Sequence, residues 1–198
     1  MMDKYSAGLV KKPTFFRETI EVGTLKYQGF DGNELKEKLL RENVLKIMME
    51  RRNREISSAV LNRIESLGEK ELEVLVNGSL SDKKHMIMVS IMKTERLIRE
   101  LINELYMDKL ELGQSMIDDG DLNVFFRRKA ETHEDVAKWR DVTIKKLKQV
   151  IKKILKELEF VKMNGRSMEL LTPIASNEFL DAIGDEDISI KRVFQRGY

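Results

Sequence analysis

Apolar residues recur every three or four positions along most of the 198-residue chain, and this spacing predicts a mainly α-helical, multi-helix bundle. The most regular stretch is 142–158, for which Asp141 is placed to serve as the helix cap. Its apolar positions are Ile144, Leu147, Ile151, Ile154, Leu155 and Leu158. A second amphipathic helix is predicted over 53–67, with Asn53 as its cap, and the longest helix over 82–106.

Polar and glycine-containing breaks separate shorter predicted helices. Residues 1–13 are interrupted by glycine and proline, which favours an irregular arm. Thr14 is placed to cap a helix that ends near Gly23, and Asn43 to cap a helix over 44–50. Further helices are predicted over 34–40, 69–76, 122–130 and 177–183.

The helical period stops at residue 158, and shorter alternating segments follow. Asn164-Gly165 between 160–163 and 167–171 predicts a β-hairpin, because this dipeptide suits a tight two-residue turn. A long basic helix followed by a hairpin is the order of a winged-helix recognition helix and wing, although proteins that bind nothing also have this order. The predicted organisation is an N-terminal bundle (1–130), a C-terminal helix-and-hairpin subdomain packed on it (131–184) and a loosely held, charged tail (185–198).

The lengths of the apolar segments and the absence of cysteine indicate the cellular compartment of the protein. The longest apolar run, 86–92, is far shorter than the roughly 18 residues that a membrane-spanning helix needs. Residues 1–16 also lack the continuous apolar core of a secretory signal. The chain has no cysteine, which excludes disulfides and thiolate metal sites. We therefore expect a cytoplasmic protein that does not contact membranes.

Motifs for catalysis and metal binding are incomplete. His133-Glu134 begins like a zinc-protease helix, but Ala137 stands where the second histidine ligand is needed. Asp119 begins a stretch like a calcium-binding loop, but Val124 replaces the required glycine. The chain has neither a Gly-x-Ser-x-Gly elbow nor a phosphate-binding glycine loop. We expect no enzyme activity, cofactor, metal or small-molecule substrate.

Basic residues concentrate in one part of the chain. Residues 138–166 hold ten cations and three anions, a local excess of +7 in a chain of net charge +2. On the predicted helix, lysines spaced three or four apart lie opposite the apolar stripe, where their repulsion favours an anionic partner such as DNA phosphate. The predicted contacts are Lys145, Lys148, Lys152, Lys153, Lys162, Asn164 and Arg166. The alternative is a solvated face, or one that pairs with acidic residues from elsewhere.

Two other basic clusters lie outside this segment. Arg51, Arg52 and Arg54, at a predicted helix junction, form a second strip of candidate phosphate contacts, or alternatively belong to an ordinary surface loop. Arg127-Arg128-Lys129 follows Phe125-Phe126, and we interpret the two phenylalanines as core residues rather than base-stacking platforms.

Several spaced segments resemble the BrxA family of the bacteriophage-exclusion (BREX) defence system. They are Tyr5-Ser6-Ala7-Gly8-Leu9, Glu42-Asn43-Val44-Leu45 with Arg51-Arg52, Arg63-Ile64-Glu65-Ser66-Leu67, Phe125-Phe126, and Thr143 to Leu158 with Phe160-Val161. The chain departs from the family pattern at Val44, where leucine is usual, and lacks the Ser/Thr-rich turn after the arginines.

The resemblance implies a helical protein similar in part to the antiterminator NusB, acting beside the methyltransferase and ATPase components of the system. It also implies a non-catalytic role in binding duplex DNA, with other BREX components as partners. Two alternatives remain open at this stage. One is an assembly or adaptor protein that docks other defence components without nucleic acid, and the other is RNA binding as in NusB.

Overall fold

A computed structural model describes residues 4–195, and it confirms the mainly α-helical fold. After a 3-10 helix (Ala7–Lys11), the helices of the first half are α1 (Phe16–Tyr27), α2 (Gly32–Leu40), α3 (Glu50–Glu65), α4 (Glu69–Asn77), α5 (Leu80–Thr94) and α6 (Arg96–Leu101). A π-helical turn (Ile102–Tyr106) leads into α7 (Met107–Glu111), β1 (Met116–Ile117), α8 (Asp119–Thr132), α9 (Glu134–Ala137) and α10 (Asp141–Glu157). The chain continues through β2 (Val161–Asn164), β3 (Ser167–Leu170), α11 (Asn177–Ala182), a 3-10 turn (Asp185–Asp187) and α12 (Ile188–Phe194).

The first predicted helix differs from α1 at both ends. Thr14 is not its cap: the residue is buried and its hydroxyl donates to Glu157 Oε2 at 2.6 Å. Gly23 does not end the helix but lies within it, against α4. A Cβ atom at this position would lie 2.8 Å from Leu75 Cδ2 and 3.3 Å from Ile64 Cδ1, so a larger residue would require these buried side chains to move.

The predicted helix over 44–50 is absent, and Asn43 closes a turn instead. Its side chain both accepts a hydrogen bond from Ile47 N and donates one to Ile47 O, each at 3.0 Å. Asn53 is inside α3 rather than at its start, and its buried amide donates to Leu39 O at 2.8 Å. Asparagine side chains bond to nearby backbone in several ways, so the sequence alone does not distinguish a cap from a tertiary contact.

The predicted long helix over 82–106 begins earlier and is interrupted. Ser79 provides the cap, accepting from Asp82 N at 3.1 Å. The backbone becomes extended at Glu95, which separates α5 from α6, and this buried carboxylate accepts from Lys12 Nζ at 2.9 Å. The apolar stripe continues across the break, which explains why periodicity did not reveal it. No helix among residues 4–195 is both long and apolar enough to cross a membrane.

The predicted hairpin is present, as β2 and β3 in antiparallel register. Its turn residues are Gly165 and Arg166, and only Gly165 has positive φ, as a type II′ turn requires. β1 also pairs with β3, so the sheet order is β1-β3-β2. A two-residue strand is too short to show alternation, and the sequence did not predict it. β1 lies before residue 130 and β3 after it, so the sheet contains strands from both sides of the predicted domain boundary. The boundary itself stays a prediction.

The predicted loose tail is a packed helix as far as the structure describes it. In α12, Ile190, Val193 and Phe194 are buried. The Phe194 ring lies 4.8 Å from Phe179 and 5.8 Å from Phe160 between ring centroids. Burial of these apolar side chains fastens the segment despite its charged surface. The last residues of the predicted tail, 196–198, lie outside the described residues.

Replacing Phe194 by alanine is expected to lower the free energy of unfolding by about 3–5 kcal/mol, because it removes a fully buried ring and leaves a cavity. Urea unfolding followed by circular dichroism measures the change. Ile188→Ala on the same helix, at a side chain that is mostly exposed, should change stability by less than about 0.5 kcal/mol. Equal effects of the two substitutions would contradict the packing of α12.

Candidate nucleic-acid interface

Helix α10 buries one side and exposes the other. Leu147, Ile151, Ile154 and Leu155 are fully buried, as the sequence predicted. The helix begins with Asp141 in its first turn, and Arg140 rather than Asp141 is the N-cap residue. The exposed residues of its middle part are Lys145, Lys146, Gln149, Lys153 and Lys156, which we call the outer face of α10. Asp141, Val142 and Glu157 are also exposed, at the two ends of the helix.

The lysines of the outer face have no acidic partners within residues 4–195. No carboxylate of that part of the chain lies within 4.0 Å of the ammonium groups of Lys145, Lys146, Lys153 or Lys156. Like charges three or four residues apart on one helix repel each other, and no ion pair within residues 4–195 offsets this repulsion. The outer face is therefore a concentrated positive surface that suits an anionic partner.

Lys148 and Lys152 lie instead on the flank of α10 that faces α8. The Lys152 ammonium donates to Asp119 Oδ1 at 2.8 Å and to the Arg166 carbonyl at 3.1 Å, and Lys148 donates to Asn123. The 3.6-residue period rotates these two positions toward the edge of the apolar stripe. The hydrogen bond from Lys152 is the main cause that lowers the pKa of Asp119, so this contact is an ion pair at neutral pH. These lysines connect α8 to α10.

The hairpin β2–β3, hereafter the wing, adds three polar side chains next to this helix. Lys162, Asn164 and Arg166 are all exposed. Within the described chain, Lys162 and Arg166 have no carboxylate within 4.0 Å, although Glu169 lies opposite Lys162 in the strand register. The bond from Lys152 to the Arg166 carbonyl ties the turn of the wing to α10. The structure thus brings the wing and α10 together, as the sequence pattern suggested.

The arginine cluster (Arg51, Arg52 and Arg54) lies at the start of α3, and each member has an acidic neighbour. Arg51 and Arg52 lie 3.5 and 3.3 Å from the Glu55 carboxylate, and Arg54 pairs with Glu50. Hydrogen bonding from Arg52 lowers the pKa of Glu55, so that carboxylate stays charged. Phosphate contacts by these arginines would therefore compete with ion pairs already present.

A short segment connects the arginine cluster with α10. Arg52 Nη1 is 3.5 Å from the carbonyl of Lys11, in the 3-10 helix. That 3-10 helix packs against α10, and Leu9 within it is fully buried. The 3-10 helix therefore connects the arginine cluster to α10. Lys11, within this connecting helix, adds a further exposed cation.

The third basic cluster divides into exposed and buried parts. Phe125 and Phe126 are buried, which confirms their interpretation as core residues. Lys129 is also buried, and its ammonium lies 2.5 Å from Glu100 and 2.6 Å from Glu104. Arg127 and Arg128 remain exposed. Arg127 of α8 and Lys145 of α10 both line the groove between these two helices.

A buried arginine holds the N-terminal segment (residues 4–15) in place. Arg63 is 1% exposed, and its guanidinium donates to the carbonyls of Thr14, Pro13 and Lys12 at 2.7, 3.0 and 3.2 Å. Burial lowers the pKa of Arg63 to about 10, so it remains charged at neutral pH. Thr14 then bonds to Glu157 of α10. The segment thus links α3 to α10.

A second anchor lies at the other end of this segment, around Glu100. Its carboxylate accepts from Tyr5, from Arg96 Nε at 2.6 Å and from Lys129 Nζ at 2.5 Å. Partial burial opposes ionisation of Glu100, but the hydrogen bonds from Lys129, Tyr5 and Arg96 outweigh it and lower its pKa to about 2. The charged form of Glu100 therefore stabilises the fold.

Acid is expected to weaken this anchor. A carboxylate whose pKa is about 2 in the fold and near 4.5 when unfolded stabilises the protein above pH 4.5, and loses this effect as the pH falls toward 2. The urea midpoint of the protein should fall over that range, and Glu100→Gln should flatten the dependence. Glu131→Gln, at an exposed carboxylate 3.9 Å from Arg127, serves as the control and should leave the dependence unchanged. A pH dependence of Glu100→Gln like that of the unmodified protein would contradict the assignment.

The residues that resembled metal motifs have other contacts. His133 lies 3.2 Å from Arg96 and 2.8 Å from Thr132, and Asp121 pairs with Lys109 at 2.7 Å. His85, which belongs to neither motif, is buried among Phe160, Phe179 and Phe194. Within residues 4–195, no group of three or more histidine, aspartate or glutamate side chains is arranged to hold a metal ion.

Sequence reasoning missed three residues of the outer face as candidate contacts, namely Lys146, Gln149 and Lys156. It selected lysines by their spacing along the chain, which also admits Lys148 and Lys152 on the flank. Placing each residue at 100° intervals around the helix axis separates the two groups and would have found the missed residues.

The fold and this surface define a mainly helical, basic-faced protein with a helix-and-wing unit. The model of the BrxA family matches residues 3–187, and the chain is 34% identical over 184 residues to "BREX protein BrxA" of Bacillus cereus (strain H3081.97), covering 91% of this chain and 92% of that protein. The chain belongs to the BrxA family of the bacteriophage-exclusion (BREX) defence system, as its sequence suggested.

A solved structure with a similar fold is the crystal structure of an uncharacterized protein from Magnetospirillum magneticum. It aligns with a TM-score of 0.80 over 96% of each chain, at 17% sequence identity. This likeness establishes a shared fold and, at that identity, does not extend to function.

Proposed function

We propose that the protein is a non-catalytic, cytoplasmic DNA-binding component of a BREX-type phage-defence system, which contacts the phosphates of duplex DNA. The observation that carries the proposal is the outer face of α10, whose lysines have no carboxylate partner within residues 4–195. Family membership supplies the defence system and implies other BREX components as partners.

The contacts divide by geometry. Lys145, Lys146, Lys153 and Lys156 contact phosphates from α10, and Lys162, Asn164 and Arg166 contact the neighbouring backbone from the wing. Lys148 and Lys152 act as positioning residues, because their ammonium groups already bind Asn123, Asp119 and the wing. Arg51, Arg52 and Arg54 form a weaker second strip, since binding there must displace Glu50 and Glu55.

The test is fluorescence anisotropy of the purified protein with labelled duplex DNA and with RNA of matched sequence, at about 50 and 200 mM salt. Duplex binding at micromolar or lower concentration that weakens steeply with salt supports the proposal. Tighter binding of the RNA would favour the NusB-like alternative, and the absence of salt-dependent binding to either would refute nucleic-acid binding.

An adaptor role has one structural observation in its favour. Met48 and Met49 are 99% and 69% exposed, at the turn before the arginine cluster. Exposed methionines adapt to varied partners and are often used at binding surfaces. A Met48→Gln/Met49→Gln variant tests this role in pull-downs with purified BREX components: loss of a partner with DNA binding unchanged would support docking at this turn.

A further inference from the structure

Gln149 lies at the centre of the outer face of α10. Its neighbours three and four residues away on the helix are Lys145, Lys146, Lys152 and Lys153. The Gln149 side chain is exposed, and its amide forms no hydrogen bond within residues 4–195. The outer face therefore presents one neutral amide, with one donor group and one acceptor, to solvent, and lysines surround it.

Val142 lies two helical turns before Gln149 on the same line. It is 54% exposed, whereas Leu147, Ile151, Ile154 and Leu155 of the opposite stripe are fully buried. At 100° per residue, Val142 and Gln149 differ by only about 20° around the helix axis. Lys156, two turns after Gln149, continues this line, whereas Lys145 lies to one side of it and Lys146 and Lys153 lie to the other. The exposed side of α10 thus has a line whose first two positions are neutral, with lysines along both edges and at its far end.

This arrangement suits an α-helix in the major groove. The groove is about 12 Å wide and admits one helix, whose centre line faces the base edges while its flanks face the phosphates of the two strands. Lysine contacts with phosphates carry no sequence information. A glutamine amide can donate to adenine N7 while accepting from the adenine N6 amino group, and apolar side chains contact the thymine methyl group.

We infer that Gln149 and Val142 contact base edges in the major groove, so that the protein prefers A·T over G·C pairs at the positions facing these residues. This inference rests on the proposed DNA binding through α10. The lysines at the edges provide affinity for any duplex, and Gln149 at the centre adds discrimination through adenine N7 and N6.

The experiment compares three duplexes of equal length in anisotropy titrations: a mixed A·T sequence without A-tracts, its 7-deazaadenine counterpart, and a G·C sequence. The protein is expected to bind the A·T duplex about tenfold more tightly than the G·C duplex. Removing N7 should abolish most of that advantage. Gln149→Ala should make binding insensitive to 7-deazaadenine and leave the salt slope unchanged, and Val142→Ala should reduce the remaining preference.

Two control variants separate base contacts from other effects. Lys146→Ala should weaken binding to all three duplexes alike and lower the salt slope by about 0.9. Asn164→Ala, on the wing, should leave the sensitivity to 7-deazaadenine intact. Circular dichroism should confirm that each variant is folded, as expected for exposed positions.

The possible outcomes distinguish the inferred base contacts from the proposed DNA binding on which they rest. Equal, salt-dependent binding to all three duplexes would overturn the base contacts and leave the proposed DNA binding in place. A preference for A·T that persists in Gln149→Ala, or that does not respond to 7-deazaadenine, would assign discrimination to the wing or to groove shape and overturn the inference. No binding to any duplex would overturn both.

Discussion

Replacing Lys145, Lys146, Lys153 and Lys156 together by glutamine is expected to remove nearly all affinity for duplex DNA. Each lysine that neutralises a phosphate releases counterions and contributes about 0.9 to the salt slope, which is worth roughly tenfold in affinity near 0.1 M salt. Losing four such contacts should lower affinity by between three and four orders of magnitude and reduce the slope by about 3.6. Anisotropy titrations over a range of salt concentrations measure both quantities.

A matched pair of double variants shows whether location matters rather than total charge. Lys146→Gln/Lys153→Gln removes two charges from the outer face and should lower the slope by about 1.8. Lys36→Gln/Lys70→Gln removes two exposed charges from α2 and α4, far along the chain from α10, and should leave the slope unchanged. If both pairs weaken binding equally, only the net charge of the protein matters, and α10 is not the interface.

Arg63→Met is expected to give the largest loss of stability among single substitutions of charged residues, about 3–5 kcal/mol. The guanidinium is buried and donates to three carbonyls of the N-terminal segment, at Lys12, Pro13 and Thr14. Methionine fills much of the volume but leaves one buried and two partly buried carbonyls without their donor, and an unsatisfied buried acceptor costs about 1–3 kcal/mol. Urea unfolding measures the loss, and hydrogen exchange should show weaker protection of the amides in that segment.

Arg54→Met, on the same helix, is the control for this substitution. Arg54 is exposed and pairs only with Glu50 one turn away, so its loss should cost about 0.5 kcal/mol or less. A comparable loss of stability in both variants would show that the three carbonyl contacts of Arg63 contribute little. Because the N-terminal segment packs against α10, Arg63→Met should also weaken DNA binding modestly, without changing its salt slope.

The sequence was most informative where a single physical pattern acted alone. The strict 3.6-residue period over 142–158 predicted α10 to within one residue of each end. Asn164-Gly165 predicted the hairpin, although the turn is shifted by one residue and needs positive φ only at Gly165. Asparagine and threonine were less informative, because Thr14, Asn43 and Asn53 use their side chains for tertiary or turn contacts rather than as helix caps.

At the candidate interface, too, the sequence was informative about a local property and not about tertiary contacts. Charge counting identified the segment 138–166 correctly as the basic region of the chain, since charge is a property of sequence. It did not separate the lysines that face solvent from Lys148 and Lys152, because Asp119 and Asn123 of α8 come from about 30 residues earlier in the chain. It also did not show that Arg51, Arg52 and Arg54 are paired with Glu50 and Glu55.

The sequence by itself determined the helical class, the main amphipathic helix, the hairpin and the family of this protein, because periodicity, turn chemistry and spaced family residues are local properties of the chain. The tertiary structure alone decided three features: the strand β1 beside β3, the burial of Phe194 in α12, and the N-terminal segment held by Arg63. The strand pairing and the contacts of Arg63 join residues roughly 50 positions apart, and Phe194 packs against Phe179 and Phe160, which lie in other elements of the chain. No local pattern encodes such pairings. In the same way, the contacts of α10 with Asp119 and Asn123 of α8 determine which of its lysines remain without a partner among residues 4–195.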